Sequence, residues 1–474
     1  MADTPLYDAY RAFQDHPSTP FTVPGHKRNP ALVDELLALD LPLYGAVESL
    51  DGSTGILGRA ERLAGELWGA DWCGFSVQGS SHGNMAIALT LAKPGDKVVV
   101  ARTLHKSLFF GLVLAGLDPV WVRPDIDPQT GLTAGMPPER IAAALDAHPD
   151  ARAVMLIEPS YVGGVSDVAA IAEVAHARGV PLTVDAAWGA HLGFHPALPP
   201  HALQAGADML VTSVHKHITG FTQSSMVLAQ RERIDVDRLE AAFEGLHTTS
   251  PSGGIMASID RARALLAERG TELLDVAIAE SERARERLRA VEGLGVVGSD
   301  IAERSPALLM HDPTKIVLSL VGTGANGIAV ADVLEERGIT LEFADRDTFC
   351  PVITLGDTAE TIDRLADEVI RAIEEHRGEP RDLVPLTAWT VDPVTAMTPR
   401  DAFFADHVRV PAAAAIGRIA AETVVPYPPG IPALAPGEVV QGPVVEALQA
   451  EAAAGTSIRY CGDPRLETIL VVAE

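Results

Sequence analysis

Lys216 lies between His215 and His217 in the segment 212–217, which directly follows the apolar run 207–211. Three side chains that can carry positive charge are crowded there, which favours loss of a proton from one of them. A neutral lysine amine is the form that attacks a carbonyl group and makes a Schiff base. Lys216 is therefore a candidate nucleophile, and a solvated basic loop is the alternative interpretation of this segment.

A carboxylate ends another strand-like run earlier in the chain. Asp185 closes the run 181–185 and precedes Lys216 by 216 − 185 = 31 residues. Ligands in open α/β sheets bind beyond the carboxyl ends of the strands, where both side chains would lie. A buried carboxylate needs a cationic partner, and a protonated pyridine nitrogen would be one. In isolation, such an aspartate is more often a helix cap or an anchor for a loop.

A turn rich in small residues follows the run 73–77. Residues 79–84 read GSSHGN and open a helical segment. Gly79 lets the backbone approach an anion, Ser80 and Ser81 add hydroxyl donors, and a helix N-terminus supplies free N–H groups. The turn is a candidate phosphate site, although the same serines could simply cap the helix. It is neither a Walker A loop nor a GxGxxG fingerprint.

His105 follows a fourth strand-like run, residues 97–101. Its flat ring could stack on an aromatic cofactor, and the alternative is a structural role at the start of the next helix. A lysine, a carboxylate, a phosphate-suited turn and a flat ring from four strand ends match what pyridoxal 5′-phosphate requires.

The elements that must position these residues alternate between short apolar runs and helical segments. This rhythm predicts an α/β fold with a mostly parallel sheet covered by helices on both faces. The runs are residues 73–77, 97–101, 119–123, 153–158, 181–185, 209–213 and 225–229. Charged amphipathic helices such as residues 270–291 follow, and a βαβ-like stretch begins at residue 315.

Four regions are expected along the chain. Residues 1–70 form an N-terminal arm that contacts a partner subunit, and residues 71–262 form the large cofactor-binding domain. Residues 263–380 form a small α/β domain. Residues 381–474 combine a proline-containing linker with a C-terminal tail domain.

Composition narrows the classes of partner. The chain has 474 residues, of which 47% are hydrophobic and 21% charged, as in an ordinary globular protein. Its 64 acidic and 37 basic residues give a net charge of −27, which opposes binding to nucleic acids or anionic membranes and favours cationic small molecules. Three cysteines without a CxxC pair indicate neither a disulfide framework nor a zinc site. A reducing cytoplasm is the expected location, since no targeting segment is recognised.

In these residues and in the order of its motifs, the chain resembles the fold-type-I pyridoxal-phosphate group III decarboxylases. This is the ornithine/lysine/arginine decarboxylase family, here in its short form without an N-terminal response-regulator-like domain, over residues 5–465. The matching segments are 24–27 (PGHK), 79–84 (GSSHGN), 105–107 (HKS), 158–161 (EPSY), 185–191 (DAAWGAH), 213–216 (SVHK), 248–252 (TTSPS), 312–315 (DPTK), 427–432 (YPPGIP) and 436–438 (PGE). The ordered set is highly specific, whereas no single member would be.

The resemblance implies a role for each matching site residue. Lys216 would form the Schiff base with the cofactor, Asp185 would face the pyridine nitrogen and His105 would stack on the ring. The remaining cofactor contacts would be Gly79, Ser80, Ser81, Ser213 and His215 around the phosphate, and Trp188 nearby. It also implies a homodimer, or a larger homo-oligomer, with the active site at the subunit interface.

For a basic substrate the distal cation needs a carboxylate, and Glu438 and Glu422 in the tail are candidates. His26 is a third candidate substrate contact, and no metal site is expected because the histidines lack zinc-like spacing. The proton donor is left open among Lys216, His215 and His217.

The reaction that the resemblance implies is decarboxylation of lysine, arginine or ornithine to the corresponding di- or polyamine precursor and CO2. Two departures from the family pattern leave the substrate and the reaction type open, namely Gly253-Gly254 and residues 43–57. The enzymatic alternatives are transamination, elimination and oxidative deamination on the same cofactor. The alternative of another class is a catalytically inactive regulatory homologue.

Overall fold

The computed structural model describes residues 2–14, 40, 55–382, 387–389, 391–427 and 431–473. The first eight strands are β1 (Trp72–Ser76), β2 (Lys97–Ala101), β3 (Asp118–Val122), β4 (Val154–Ile157), β5 (Gly164–Ser166), β6 (Leu182–Asp185), β7 (Met209–Ser213) and β8 (Ser225–Ala229). All of them except β5 form one sheet in the order β1-β8-β7-β6-β4-β2-β3. Only β8 runs against its neighbours in this sheet, so the predicted mostly parallel seven-stranded sheet is confirmed.

The sheet is buried on both faces because its strands are apolar at successive positions, whose side chains point to opposite sides. In β2, Val99 and Ala101 join one hydrophobic core, whereas Val98 and Val100 join the other. The helices of this part of the chain are Ile56–Trp68, Gly79–Leu91, Lys106–Ala115, Pro138–Ala147, Val168–His176, Val214–His217 and Val236–Leu246.

A second unit follows, with its own hydrophobic core. Its strands are β9 (Gly295–Val297), β10 (Leu308–His311), β11 (Val317–Ser319), β12 (Phe343–Ala344) and β13 (Thr348–Cys350), and its helices are Gly253–Arg289, Asp300–Arg304, Gly327–Glu336 and Ala359–Glu375. Four of the strands form a sheet in the order β12-β13-β11-β9, and every pair in it is antiparallel. Because β11 and β12 are both antiparallel to β13, they are parallel to each other, and the helix Gly327–Glu336 connects them. The expected βαβ-like stretch is therefore present as a split unit, with β13 between its two parallel strands. Strand β10 pairs instead with β5 of the preceding unit.

The C-terminal part packs around a fourth core. Its strands are β14 (His407–Pro411), β15 (Val425–Tyr427), β16 (Ser457–Arg459) and β17 (Thr468–Val472), and its helices are Pro399–Phe404, Ala412–Ala415 and Gly442–Ala453. At the other end of the chain, the helix Pro5–Gln14 lies on the helix Gly253–Arg289, where the Leu6 amide donates to Asp260 Oδ2 at 3.0 Å.

The predicted domain limits remain predictions. The helix Gly253–Arg289 crosses the expected boundary at residue 262 and places Met256 and Ile259 in the first core but Ala284 and Leu288 in the third. Within the described ranges, no helix combines the length and apolar character that a bilayer-spanning segment requires.

A buried ion pair ties the C-terminal part to the main sheet. Arg102, which follows β2, donates from Nη1 to Glu438 Oε1 and from Nη2 to Glu438 Oε2, the latter at 2.8 Å. Both side chains are almost fully buried, at 4% and 3% exposed. The Ala435 amide also donates to Glu438 Oε2 at 2.9 Å. Removing one partner of such a pair leaves the other charge buried without compensation.

We therefore expect Glu438→Gln to lower the free energy of unfolding by about 3 kcal/mol, because the Arg102 guanidinium would lose its charged partner. Denaturant unfolding followed by circular dichroism measures this change. Glu272→Gln is the matched control, since Glu272 pairs with Arg269 on an exposed helix face. Equal transition midpoints for the two variants would contradict the assignment of Glu438 to a structural pair.

Candidate active site

The carboxyl ends of several central strands open into a cavity of about 420 Å³. Residues that follow β1, β2, β6 and β7 line it, as the strand-end argument predicts for an open α/β sheet. The cavity contains all nine side chains or backbone positions that the sequence assigned to a cofactor, namely Gly79, Ser80, Ser81, His105, Asp185, Trp188, Ser213, His215 and Lys216. Their individual roles remain proposals.

Lys216 enters the cavity from the short helix Val214–His217. Its Nζ lies 4.0 Å from the centre of the Trp188 ring. Burial lowers the pKa of Lys216 from 10.5 to about 8, Asp185 and Glu342 act in the opposite direction, and Lys315 lowers the pKa further. The neutral amine is therefore accessible near physiological pH.

The cause of this depressed pKa differs from the one expected from the sequence. The adjacent histidines were expected to crowd Lys216 with charge, but burial lowers the pKa of His215 and lowers that of His217 well below its ordinary value. Both rings are thus neutral near pH 7. The cation that acts on Lys216 is Lys315, which is distant in sequence and almost fully buried.

Asp185 is 5% exposed and is held by neutral donors. Asn84 Nδ2 donates to its Oδ2 at 2.7 Å, and the Ala187 amide donates to its Oδ1 at 3.1 Å. A buried carboxylate that accepts hydrogen bonds only from neutral groups can accept a further hydrogen bond from a cationic donor in the cavity. The geometry thus suits a ligand that carries a protonated nitrogen.

The N-terminus of the helix Gly79–Leu91 faces the same cavity. The N-cap residue Gln78 makes no capping hydrogen bond with its side chain, and Ser80 Oγ lies 2.7 Å from Ser213 Oγ. The Gly79 amide donates to the Gln223 carbonyl at 2.8 Å. The following backbone N–H groups of the first turn, a positive dipole end and two hydroxyl groups form a site for an anion. The helix can approach the sheet because Gly83 lacks a Cβ, which would lie 2.5 Å from a methyl group of Val211.

His105 combines both roles that the sequence left open. It is the N-cap of the helix Lys106–Ala115, where its Nδ1 accepts from the Ser107 amide at 3.3 Å, and it also lines the cavity. Burial lowers the pKa of His105, which Asp185 opposes. A neutral ring fixed by its Nδ1 can present a face to a planar ligand.

An aromatic group extends the wall beyond Lys216. Trp188 packs edge to face on Tyr161 at 5.0 Å between ring centres, and Tyr161 in turn packs on Phe343 at 5.6 Å. Lys315 Nζ lies 4.0 Å from the Trp188 ring centre, the same distance as Lys216 Nζ. The small unit that carries Phe343 and Lys315 is thereby joined to the cavity wall.

A buried cluster lies behind Lys216. His191 Nε2 and Asp312 Oδ2 are 2.8 Å apart, and the His217 ring stacks on the His191 ring at 4.3 Å between centres. Burial would raise the pKa of Asp312, but His191 holds it well below its ordinary value. The three side chains offer ligand atoms within 4.8 Å of one another, although the hydrogen bond already uses one atom of His191 and one of Asp312.

The candidate substrate residues are placed differently from the expectation. Glu438 is bound to Arg102, and Glu422 accepts from Arg409 Nη1 and Nη2 at 3.0 and 2.9 Å. Neither glutamate is among the residues that line the cavity. A buried carboxylate needs a charged partner to compensate for the water it has lost, and an arginine supplies this for each glutamate. His26 lies outside the described residues.

Sequence reasoning missed several residues that line the cavity, and also Lys315, which contacts the cavity residue Trp188, because their signals are not local. Lys315 belongs to the DPTK segment, which carried the family resemblance but suggested no role. Thr222, Gln223 and Glu342 line the cavity from loops without a recognisable pattern. The departure at Gly253-Gly254 forms the buried start of the helix Gly253–Arg289.

Solved structures support the fold class. The lysine decarboxylase of Francisella novicida superposes with a TM-score of 0.83 at 21% identity, over 99% of this chain and 81% of that one. At this identity the likeness speaks for the fold alone. The sheet, its strand-end cavity and this likeness define an α/β protein with the architecture called fold type I.

Sequence comparison adds the family. The major domain of the family described as Orn/Lys/Arg decarboxylase matches residues 4–361, and its C-terminal domain matches residues 386–458. Two relatives named arginine decarboxylase, from Halalkalibacterium halodurans and Bacillus subtilis, are each 36% identical, over 99% and 100% of this chain and 98% of each relative. The chain belongs to the Orn/Lys/Arg decarboxylase family, which confirms the expectation of an amino-acid decarboxylase.

The pKa of Lys216 gives a direct prediction for the ligand-free protein. The fraction of neutral, reactive amine rises as the pH increases through about 8, well below the range of an ordinary lysine. Acetic anhydride labelling across a pH series, read by peptide mass spectrometry with exposed Lys93 as internal reference, measures this fraction. A labelling midpoint for Lys216 near 10.5 would contradict the effect of burial.

Proposed function

We propose that this chain decarboxylates a basic amino acid, with arginine as the preferred substrate, using pyridoxal 5′-phosphate held between Lys216 and Asp185. The observation that carries the proposal is that these two side chains, 31 residues apart in sequence, line one cavity. Membership of the Orn/Lys/Arg decarboxylase family supports the reaction, and the names of the two 36% identical relatives support arginine.

The residues of the cavity fit this cofactor at each of its ends. Lys216 supplies a neutral amine for the aldehyde, and Asp185 supplies a buried carboxylate for the pyridine nitrogen. Ser80, Ser213 and the free N-terminus of the helix Gly79–Leu91 supply donors for a phosphate. When bound, the cofactor accepts the electron pair that is left when CO2 departs.

The contributions of this chain to the reaction follow from the same positions. Asp185 would hold the pyridine nitrogen of the bound cofactor in its protonated form, because burial makes separation of that charge pair costly. His105 would present its ring to the bound cofactor, and the walls of the cavity would limit the access of water to the reacting carbon. Overall, the amino acid and one proton give the amine and CO2, and the Lys216 amine returns to its starting state.

The substrate assignment also agrees with the overall charge. A chain with a net charge of −27 attracts a cationic amino acid over distances of about a Debye length. The homodimer that the resemblance implies remains a prediction, as does the participation of its interface in the active site.

An amino-acid panel tests the reaction. We expect the holoenzyme to release CO2 and the corresponding amine in equal amounts from arginine, with lower kcat/KM for lysine and ornithine. Amines are measured by liquid chromatography and CO2 by a coupled assay. Formation of a keto acid without CO2 would favour transamination or oxidative deamination and would refute decarboxylation.

Two substitutions test the assigned roles. Lys216→Ala should abolish turnover, and borohydride should no longer fix the cofactor to the chain. Asp185→Asn should still be labelled at Lys216 after borohydride treatment. Its kcat should fall by about a hundredfold or more, because the pyridine nitrogen loses its charged partner. Peptide mass spectrometry locates the fixed cofactor. A label on another lysine, or near-normal turnover by Asp185→Asn, would overturn the corresponding assignment.

A further inference from the structure

Lys315 is a buried amine beside the cavity to which the proposed reaction gives no role. Its side chain is only 1% exposed. Among the residues that the structure describes, none accepts a hydrogen bond from its Nζ, which instead lies 4.0 Å from the centre of the Trp188 ring. A buried ammonium group without an acceptor is costly, and charges perturbed in this way concentrate at functional sites.

The fold keeps a path open for the Lys315 side chain. Gly163 has a φ of +91°, and a Cβ at this position would lie 2.7 Å from Lys315 Cγ. The Asp312 amide donates to the Gly163 carbonyl at 2.7 Å, and Arg285 Nη2 donates to the Lys315 carbonyl at 2.5 Å. These contacts fix the backbone of Lys315 beside the residue that precedes β5, so that its side chain extends to Trp188.

Trp188 brings two amines together. Lys216 Nζ also lies 4.0 Å from the centre of its ring. The indole is held in place by Tyr161 at 5.0 Å and by the His217 ring at 5.6 Å between ring centres. An indole ring attracts a cation, but a cation at one amine opposes protonation of the other, because like charges disfavour the charged form.

The other groups around Lys216 do not supply this effect. Burial lowers the pKa of each histidine that acts on Lys216, so that these rings are neutral near pH 7; they are His105, His215 and His217. Asp185 and Glu342 favour the protonated form of Lys216, whereas Lys315 opposes it. The charge of Lys315 therefore counteracts that of the two carboxylates.

The surroundings of Lys315 itself support its ammonium form. Burial lowers the pKa of Lys315, whereas Cys350, Asp312 and Glu342 oppose that effect. The nearby rings of His217 and His311 are kept neutral by burial, which lowers the pKa of His311 to about 4. The carboxylates thus stabilise a positive charge at Lys315.

We propose that Lys315 is a positioning residue that repels a proton from Lys216 across the Trp188 ring and so keeps the Lys216 amine able to react with the cofactor aldehyde. This inference rests on the proposed function and deepens it by naming a residue that controls the same site. Lys315 is not among the residues that line the cavity, so it acts through Lys216 and not on the substrate. Without Lys315, Asp185 and Glu342 would stabilise the protonated, unreactive amine.

Labelling of the ligand-free protein tests this role. Lys315→Met removes the charge and keeps an unbranched side chain. We expect the pH midpoint for acetic anhydride labelling of Lys216 to rise by about half a pH unit or more, because a like charge is lost. Lys97→Met is the matched control, since Lys97 begins β2, at the end of the strand opposite to the cavity, and pairs with Asp150. Equal midpoints for Lys315→Met and the wild type would overturn the proposal.

The rate of cofactor uptake distinguishes this role from a merely structural one. At pH 7, the absorbance of lysine-bound pyridoxal phosphate should develop about threefold or more slowly in the Lys315→Met apoprotein than in the wild type. The two rates should converge at about pH 10, where Lys216 is neutral in both proteins. A difference of the same size at both pH values would refute the proposal. Lys315→Gln removes the same charge and replaces Lys315→Met if circular dichroism shows that the latter does not fold.

Neither measurement requires decarboxylation, so the two proposals can fail separately. Absence of CO2 from arginine in the wild-type holoenzyme, with the difference in labelling midpoint intact, would refute the proposed reaction alone. Normal release of CO2 by the wild type, with equal midpoints for Lys315→Met and the wild type, would refute the role of Lys315 alone.

Discussion

The structure depends on holding an amine and a carboxylate, both largely removed from water, in one cavity. Strands β6 and β7 pair in parallel with Asp185 opposite Val211, so that Asp185 ends its strand beside the segment that leads to Lys216. The sheet buries both groups because helices cover its two faces. Desolvation lowers the pKa of the lysine to about 8, while hydrogen bonds from neutral donors keep the aspartate in place.

One turn of helix separates the roles of three adjacent side chains. In the helix Val214–His217, His215 and Lys216 line the cavity, whereas His217 is buried against His191. Successive helical residues point in different directions, so neighbours in sequence need not share an environment. The three basic residues that are adjacent in the sequence thus lie in two environments, His215 and Lys216 at the cavity and His217 in the packed interior.

The cavity is assembled from parts of the chain that fold around different cores. The main sheet contributes most of its wall, the antiparallel unit contributes Glu342, and the C-terminal part contributes Ile431. The pair of Arg102 and Glu438 holds the C-terminal part to the sheet near that wall. The wall of the cavity consequently draws on three units of the chain.

The sequence by itself determined the seven strand runs and the strand-end residues Lys216, Asp185 and His105, because apolar runs and the residues that end them are local signals. Only the tertiary structure decided the antiparallel pairing around β11, the effect of Lys315 on Lys216, the capture of Glu438 by Arg102, and the position of Glu342. Each of these depends on groups far apart in the chain. Their strength is set by burial and distance, which no local pattern encodes.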